Sequence, residues 1–494
     1  MDGDYILGID QGSTGSKVIV VDRNGAVVCS AYRKINSYYP HEGWLEHDPE
    51  EIWASVRDGL LEAAAAFDFA QIRAIGITNQ RETTILWERA TGRALTPAIS
   101  WQCVRSGEIV KRWEPFADEI SEKSGLMNNA YYSASKIAWA LEQDPGLRAR
   151  AERGEICFGN INTWILWKLT GGREHLTDSA NAGRTLLFDV RKNQWDDALM
   201  EKMGIPPQML PEVRPCDACF GLAVEPREAF QKPLPVMASI GDQMSALFGQ
   251  TCFRRGEAKC TIGTCLNLVT YTGRYEPPAN GILPAIAANR SGELTYELEG
   301  GVYVAGSINE WLTDQLGIAD SPKEIDALAM QVEDSGGVYF VPAFQGLGAP
   351  HWNSGARALI IGLSRFHDKR HICRAAIESI ALQTNDVMDT LKQRFGLKIH
   401  TLRVDGGVAK SDFVLQSFAD ILGCRIERPA NTDRTPMGAV YLAGLASGLW
   451  QDKEQIRSLW VLDRAFEPDI DPAAREKLLA GWREAVKRSL DWVR

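Results

Sequence analysis

The sequence predicts an α/β protein built from two similar halves, each beginning with a β-hairpin. Strand-like and helix-like stretches alternate along the chain, which is typical of α/β proteins. Residues 5 to 22 and residues 258 to 273 each place a small turn with Gly and Thr between two strand-like runs. We therefore expect a first domain over residues 1–249 and a second over residues 250–494, facing one another across a cleft.

The composition narrows the classes of function. The 494 residues carry 54 Lys and Arg against 64 Asp and Glu, a formal net charge of -10, without a long basic cluster, so nucleic acid is not an expected ligand. No apolar stretch is long enough to cross a bilayer, and the start, MDGDYILGID, lacks a basic signal-peptide region. These features predict a soluble cytoplasmic protein. The ten cysteines include one C-x-x-C, Cys216 to Cys219, without a second pair, so we expect reduced thiols.

The first hairpin has the composition of an anion site. In YILGIDQGSTGSKVIVVD, residues 5 to 22, Asp10 ends an apolar run. The turn after it contains glycines, hydroxyls and one cation: Gly12, Ser13, Thr14, Gly15, Ser16 and Lys17. Exposed amides, hydroxyls and an ammonium group can surround a phosphate, and an aspartate at the strand end can hold the accompanying metal. The same residues are also ordinary at the polar tip of a hairpin, and this stretch alone does not separate the two interpretations.

A polar run interrupts the strand-like stretch AIGITNQRETTILWE, residues 74 to 88. Arg81 and Glu82 are neighbours, so on a strand their side chains would point to opposite faces. They can share a ligand only if the strand ends or bulges there. A guanidinium donor beside a carboxylate acceptor suits adjacent hydroxyls of a polyol. The alternative is an internal salt bridge between the two side chains.

Two further strand ends carry residues suited to chemistry. Asp242 follows an apolar strand and precedes an apparent helix. It can cap that helix or face the crevice in which α/β proteins bind ligands. In LRVDGGVAKSDFVLQSFADIL, residues 402 to 422, Gly406 and Gly407 separate a strand from a helix with apolar residues at helical spacing. Such a turn lets a nucleotide approach the backbone at a helix start, but it is also a plain β-α turn.

Together these segments resemble the FGGY family of carbohydrate kinases. The similarity runs along nearly the whole chain, through GIDQGSTGSK, GWLEHDPEEIW, IGITNQRETTILWE, NTWILWKLTG, GDQMSALFGQ, VPAFQGLGAPHW, RAAIESIALQTNDV and RVDGGVAKSDF. The resemblance implies two ribonuclease-H-like domains around a nucleotide cleft, the fold of hexokinase, actin and the Hsp70 ATPase domain. It also implies a kinase that uses ATP and Mg²⁺ and that forms a homodimer or homotetramer.

The same resemblance implies roles for particular residues. Asp10 would bind Mg²⁺, and Asp242 would be the general base for the attacking hydroxyl. The residues implied near ATP are Ser13, Thr14, Lys17, Gly263, Thr264, Gly306, Glu310, Gly407 and Ser411. The residues implied around the acceptor are Arg81, Glu82, Trp101, Tyr131, Asp242, Gln243 and Asn267. Trp101 and Tyr131 can alternatively be core aromatics.

The acceptor is implied less firmly than the reaction. The NQRE motif, residues 79 to 82, points to glycerol. Three positions depart from the family pattern: Cys265 replaces a usual glycine, Glu310 a usual glutamine, and Asn267 an aromatic residue usual in members that act on glycerol. We therefore expect glycerol, with erythritol, threitol or a ketopentose as alternatives.

A function of another class also fits the fold. Actin and Hsp70 use it as a nucleotide switch and phosphorylate no small molecule. The pair Arg81 and Glu82, together with Asp242, favours the kinase, because a switch protein has no need of a polyol site.

Overall fold

The computed structural model describes residues 3–493, and its framework is a pair of mixed β-sheets. The first sheet is formed by β1 (Tyr5–Gly12), β2 (Gly15–Asp22), β3 (Val27–Lys34), β4 (Ile72–Asn79), β5 (Leu222–Ala223) and β6 (Leu234–Gly241). Its spatial order is β5-β6-β4-β1-β2-β3. Strands β1, β2 and β3 are antiparallel, whereas β4 and β6 run parallel to β1.

The second sheet repeats this arrangement. It is formed by β7 (Ala258–Ile262), β8 (Leu266–Tyr271), β9 (Leu283–Ile286), β10 (Tyr296–Val302), β11 (Thr401–Asp405), β12 (Arg425–Pro429) and β13 (Leu462–Phe466). Its spatial order is β9-β10-β8-β7-β11-β12-β13, with β7, β8 and β10 antiparallel and β11 and β12 parallel to β7. The run β10-β8-β7-β11-β12 thus matches β3-β2-β1-β4-β6, and the predicted fold of two similar α/β domains is confirmed.

Helices cover both sheets. They are α1 (Pro49–Ala66), α2 (Gly107–Trp113), α3 (Ala117–Ser124), α4 (Ser133–Gln143), α5 (Pro145–Glu152), α6 (Ile161–Leu169), α7 (Ser179–Ala182), α8 (Asp197–Met203), α9 (Asp242–Gly249), α10 (Ser307–Glu310), α11 (Pro322–Ala329), α12 (Lys369–Phe395), α13 (Asp412–Leu422), α14 (Arg434–Ala446), α15 (Lys453–Ser458) and α16 (Pro472–Ser489). Short strand pairs lie outside the sheets: Glu46–His47 with Ala98–Ile99, Ile85–Glu88 with Ile156–Gly159, Leu176–Asp178 with Glu212–Arg214, Phe188–Asp189 with Gln194–Trp195, and Tyr339–Val341 with Leu359–Ile361. No helix within the described residues is long and apolar enough to span a membrane.

The first hairpin is apolar on both faces because each face packs on a different core. Leu7 and Ile9 belong to the cluster that contains α1 and α6 residues, whereas Ile6 and Ile19 belong to the cluster that contains α14 residues. Strands covered on both faces read as continuous apolar runs rather than as alternating ones. The hairpin is therefore held by packing on both faces up to its polar turn.

Helix α14 lies in sequence between β12 and β13 of the second sheet but packs on the first sheet. Gly76 on β4 permits this contact, since a Cβ there would lie 2.3 Å from the carbonyl oxygen of Ala439. Gly438 permits a similar approach to α9, where a Cβ would lie 1.8 Å from the carbonyl oxygen of Ser245. The chain thus crosses to the first sheet after β12 and returns to the second at β13, while the domain boundary at residue 249 stays a prediction.

Candidate active site

The turn of the first hairpin carries a carboxylate and a cation on neighbouring strands. Asp10 on β1 pairs in register with Lys17 on β2, so their side chains share one face. Lys17 Nζ lies 2.5 Å from Asp433 Oδ2, in the segment just before α14. Burial and then the charge of Asp242 raise the pKa of Asp10 to about 7. A carboxylate with so little counter-charge is a suitable ligand for a cation.

Trp101 connects this turn to an aromatic pair. The indole Nε1 of Trp101 donates a hydrogen bond of 2.9 Å to Ser13 Oγ. Its ring packs edge-on against Tyr131, with the ring centroids 5.3 Å apart. Both aromatic side chains are partly exposed, and Tyr131 also packs against the hydrophobic cluster that contains α4 residues. Thr14 is placed differently, since its Oγ1 lies 3.3 Å from the Tyr32 hydroxyl on the exposed side of the turn.

Arg81 joins the two domains. Strand β4 ends at Asn79, so Arg81 lies beyond it, as sharing a ligand with Glu82 requires. Arg81 Nη1 and Nη2 each donate to a different oxygen of Glu299 on β10, at 2.8 Å. Its Nε lies 3.2 Å from Asp242 Oδ1. Although burial opposes it, the charges of Arg81 and Arg184 lower the pKa of Glu299 to about 2.

Glu82 has a stronger partner than Arg81. Arg184 Nε donates to Glu82 Oε1 at 2.7 Å, whereas Arg81 Nε lies 3.6 Å from the same oxygen. Arg184 Nη1 also lies 3.4 Å from Glu299 Oε2. The internal salt bridge between Arg81 and Glu82 is thus present, and both residues also belong to a larger buried network of charges.

Asp242 is the first residue of α9 and not its cap. Gly241 occupies the N-cap position, so the capping interpretation is wrong. Asp242 Oδ1 instead accepts a hydrogen bond of 2.7 Å from the amide of Gln243. Burial raises the pKa of Asp242, and Glu82 and Glu299 add to this rise while Arg81 opposes it. The Asp242 carboxylate thus lies beside Arg81 and near the carboxylates of Glu82 and Glu299.

A buried lysine from the second sheet orients Gln243. Lys259 Nζ on β7 donates to Gln243 Oε1 and, at 2.9 Å, to Thr261 Oγ1. Thr261 Oγ1 in turn donates to Asp405 Oδ1 at 2.6 Å. Because the side-chain oxygen of Gln243 accepts from Lys259, its amide nitrogen points away from the lysine and can donate to another group.

The turn between β7 and β8 is the counterpart of the first hairpin turn. The amide of Gly306 donates to the carbonyl of Gly263 at 2.8 Å, and the amide of Ala305 donates to that of Thr264 at 3.0 Å. A Cβ on Gly306 would lie 2.6 Å from the Gly263 carbonyl oxygen. The structure thus brings three of the residues predicted near ATP, Gly263, Thr264 and Gly306, into direct contact.

The remaining residues predicted near ATP lie around the end of β11. Gly407 is exposed, and a Cβ on it would have no neighbour within 4 Å. Ser411 caps α13, and its hydroxyl donates to Asp326 Oδ2 at 2.6 Å. Glu310 is exposed at the end of α10. Gly407 therefore offers open space, while the Ser411 side chain is already engaged.

Asn267 and Glu299 lie on the same face of the second sheet. Asn267 on β8 pairs with Gly301 on β10, two residues beyond Glu299. A Cβ on Gly301 would lie 3.3 Å from Asn267 Oδ1, so the amide occupies the space beside that glycine. Asn267 is only partly buried, which leaves its side chain accessible from the face on which Glu299 binds Arg81.

Glu297 is a second acid on this face, two residues before Glu299. It is fully buried, and neither of its carboxylate oxygens has a hydrogen-bond partner among residues 3–493. Burial, with a contribution from the charge of Glu299, raises the pKa of Glu297 to about 8. Burial thus favours the neutral form of this side chain over the charged form.

Sequence reasoning missed the residues that hold the predicted ones. Arg184, Lys259, Glu299 and Asp433 contact Glu82, Gln243, Arg81 and Lys17 respectively. A signal was present in TYELEGG, where Glu297 and Glu299 alternate with Leu298 inside a strand. Charges at period two on a buried strand indicate a polar face. Arg184 was similarly isolated among small and apolar residues in SANAGRTLLF.

The Asp10 carboxylate at the first hairpin suits a hard cation such as Mg²⁺, although the side chains of residues 3–493 alone do not form a complete coordination shell. No group of three or more His, Cys, Asp or Glu side chains arranged for a metal occurs among the described residues. Mg²⁺ commonly binds to one or two carboxylates and completes its shell with phosphate oxygens and water. The single carboxylate of Asp10, with its raised pKa, fits that donor set.

Comparison with known proteins agrees with this architecture. Residues 5–249 match the N-terminal domain of the FGGY family of carbohydrate kinases, and residues 258–447 match its C-terminal domain. The chain is 44% identical to a glycerol kinase of Carboxydothermus hydrogenoformans, over 99% of this chain and 98% of that one. It is 45% identical to glycerol kinase 2 of Thermotoga maritima, over 99% of both.

A solved structure is also closely similar. The crystal structure of Plasmodium falciparum glycerol kinase with ADP superposes with a TM-score of 0.94, at 36% identity and over 99% of each chain. The family and the kinase class predicted from the sequence are thereby confirmed. This chain belongs to the FGGY family of carbohydrate kinases.

Proposed function

We propose that this protein transfers the γ-phosphoryl group of ATP to a terminal hydroxyl of glycerol, giving sn-glycerol 3-phosphate and ADP. The observation that carries the proposal is the convergence of Arg81, Glu82 and Asp242 near the aromatic pair Trp101 and Tyr131, since the Trp101 amide donates to Thr83 Oγ1, next to Glu82 in the chain, at 3.2 Å. Two relatives that share 44% and 45% identity with this chain over nearly its full length are named glycerol kinases. The similar Plasmodium structure carries ADP.

The acceptor pocket combines donors, acceptors and an aromatic wall. Arg81 has five N–H groups; two bind Glu299, one faces Met244 Sδ and its Nε–H faces Asp242, so one remains for a substrate oxygen. The Gln243 amide supplies a further donor, since Lys259 fixes its orientation. Trp101 and Tyr131 would pack on the carbon chain of the polyol.

Asp242 acts as the general base in this proposal. The hydroxyl oxygen attacks the γ-phosphorus in line, its proton passes to the Asp242 carboxylate, and the bond from the γ-phosphorus to the bridging oxygen breaks to release ADP. Burial raises the pKa of Asp242, which makes the carboxylate a stronger base near neutral pH. Lys17 and the donors of the two hairpin turns stabilise the negative charge that spreads over the phosphoryl oxygens.

Asp10 is the proposed ligand of Mg²⁺. When bound, the ion neutralises charge on the phosphate oxygens. The carboxylate of Asp10 supports this assignment because its pKa is raised by burial and by Asp242, so that a cation would stabilise its charged form. Lys17, paired with Asp433, would approach the phosphates from the neighbouring strand.

A larger acceptor is the second candidate. Asn267 places a polar amide at a position where an aromatic side chain would exclude an extra hydroxyl group. Gly301 beside it has no side chain. A four-carbon polyol could place its additional hydroxyl against Asn267, which both donates and accepts. Glycerol remains the first choice, because four residues match the positions that the family resemblance assigns to the glycerol site: Arg81, Glu82, Trp101 and Tyr131.

The test is ADP release by purified protein with ATP, Mg²⁺ and one acceptor at a time: glycerol, tetritols, pentitols, dihydroxyacetone and ketopentoses. We expect the largest kcat/KM with glycerol and no turnover without an acceptor. ATP turnover that is independent of every acceptor would instead support a nucleotide switch. The expected homodimer or homotetramer remains a prediction, which light scattering of the same preparation checks.

A further inference from the structure

We propose that Lys136 is a positioning residue that holds Tyr131 in the acceptor pocket. The inference rests on the proposed function, in which Tyr131 contacts the polyol. Lys136 Nζ donates to the carbonyl oxygens of three consecutive residues, Ala130 at 2.7 Å, Tyr131 at 2.6 Å and Tyr132 at 3.2 Å. The lysine is fully buried, which lowers its pKa to about 7, and its charged form has three N–H groups for these three carbonyl oxygens.

The position of this lysine is not explained by helix stability. Lys136 lies in the first turn of α4, which begins at Ser133. A cation near a helix N-terminus is disfavoured by the helix dipole, and burying an ammonium group is costly unless hydrogen bonds compensate it. The three carbonyl bonds supply that compensation. The residue is therefore suited to fixing the segment that precedes the helix rather than the helix itself.

The segment that Lys136 holds is also attached to the Arg81–Glu82 region. Ser133 Oγ donates to the carbonyl of Glu82 at 3.1 Å. Asn160 Nδ2 donates both to Ser133 Oγ, at 2.9 Å, and to the carbonyl of Thr83, at 3.1 Å. Lys136 completes this network from the other side, so the backbone at Tyr131 is fixed relative to Glu82.

The rings of the segment line the proposed pocket. Tyr131 packs against Trp101 and against Tyr132, with centroid distances of 5.3 Å and 5.2 Å. The guanidinium carbon of Arg184 lies 5.4 Å from the Tyr132 ring centroid. A shift of the 130–132 backbone would therefore move Tyr131 and loosen the contact of Tyr132 with Arg184. In the part of the chain that the structure describes, the segment itself makes no hydrogen bond to either phosphate turn and meets the first one only through Trp101.

The test is a double-mutant cycle with Lys136→Met and Tyr131→Ala. If Lys136 acts through Tyr131, Lys136→Met alone raises the KM for glycerol by roughly tenfold and leaves the KM for ATP within about twofold. In the Tyr131→Ala background the same change alters the glycerol KM by less than about twofold, because the two effects are coupled. Lys136→Arg retains the N–H donors and restores much of the glycerol KM.

Matched controls separate positioning from general stability. Lys123→Met removes a lysine that binds Glu119 and Asp196 and touches no residue of the proposed pocket, so it leaves both KM values unchanged. Where Lys136→Met does not fold, Lys136→Gln, with two N–H donors, enters the cycle instead. Equal rises of both KM values, or an additive effect in the Tyr131→Ala background, would overturn the inference. Absence of acceptor-dependent turnover in the wild-type protein would overturn the proposed function itself.

Discussion

Arg81 and Glu299 form a two-point ion pair between the domains, with Nη1 and Nη2 of the arginine each 2.8 Å from a carboxylate oxygen of the glutamate. Arg81 follows the end of β4 in the first sheet, and Glu299 lies on β10 in the second. Both side chains are buried. The pair therefore links the two sheets at the proposed acceptor pocket.

Removing Glu299 should destabilise the protein strongly. Glu299→Ala removes the two-point partner of the buried Arg81 charge and leaves only the more distant Asp242 and Glu82 beside it. Breaking a buried ion pair typically costs about 3–5 kcal/mol, and we expect a loss toward the lower end of that range in chemical unfolding. The control is Glu108→Ala, which removes an exposed partner of Lys111 and should change stability by less than about 0.5 kcal/mol. A Glu299→Ala effect no larger than this control would show that the interdomain pair contributes little.

Replacing Asp242 with Asn tests its role as base. The change preserves shape and the helix start but removes the proton acceptor, so we expect kcat to fall by about 10²-fold or more. Affinity for ATP, measured by calorimetry, should stay nearly constant, because Asp242 is assigned to the acceptor and not to the nucleotide. If Asp242→Asn retains wild-type turnover, another group accepts the proton.

Asn267→Phe tests the acceptor. An aromatic ring in this position would bury the glycerol chain and fill the space beside Gly301, and full burial of such a side chain is worth about 1.5–3 kcal/mol. We expect the variant to favour glycerol over erythritol and threitol more strongly than the natural protein does, measured as a ratio of kcat/KM values. An unchanged ratio would mean that Asn267 does not face the acceptor.

The buried acid Glu297 should make stability depend on pH. Its folded-state pKa, about 8, lies above its usual value near 4.5, so its contribution is fully present below pH 4.5 and is lost as pH rises toward 8. Each pKa unit corresponds to about 1.4 kcal/mol. Glu297→Gln cannot ionise, so we expect its melting temperature to rise relative to wild type as pH increases from 5 to 8.

Glu299→Gln is the matched control for this pH dependence. The pKa of Glu299 is lowered to about 2, so its contribution is present above its usual pKa and is lost only as pH falls toward 2. From pH 5 to 8 the difference between Glu299→Gln and wild type should therefore stay constant. A constant difference for Glu297→Gln as well would mean that Glu297 is ionised throughout this range.

Local sequence was sufficient for the features that depend on neighbours in the chain. The two glycine-rich hairpin turns, the end of a strand before Arg81 and the strand that leads to Asp242 are recognisable because β-branched runs, glycines and polar interruptions act over a few residues. The family motifs then identified the fold class. The capping role for Asp242 was wrong, since choosing between two adjacent residues at a helix start depends on backbone angles that composition does not specify.

The tertiary structure alone decided which charges meet. Arg81 pairs with Glu299 at a separation of 218 residues and Lys17 pairs with Asp433 at 416, while α14 packs on the first sheet although it lies between β12 and β13 of the second. Such contacts form because buried charges must be paired and because the apolar face of a sheet must be covered. Neither requirement identifies, from the sequence alone, which distant residue or helix will be the partner. The local sequence thus identified the candidate site residues, whereas the packing of the two domains determined which side chains bind them.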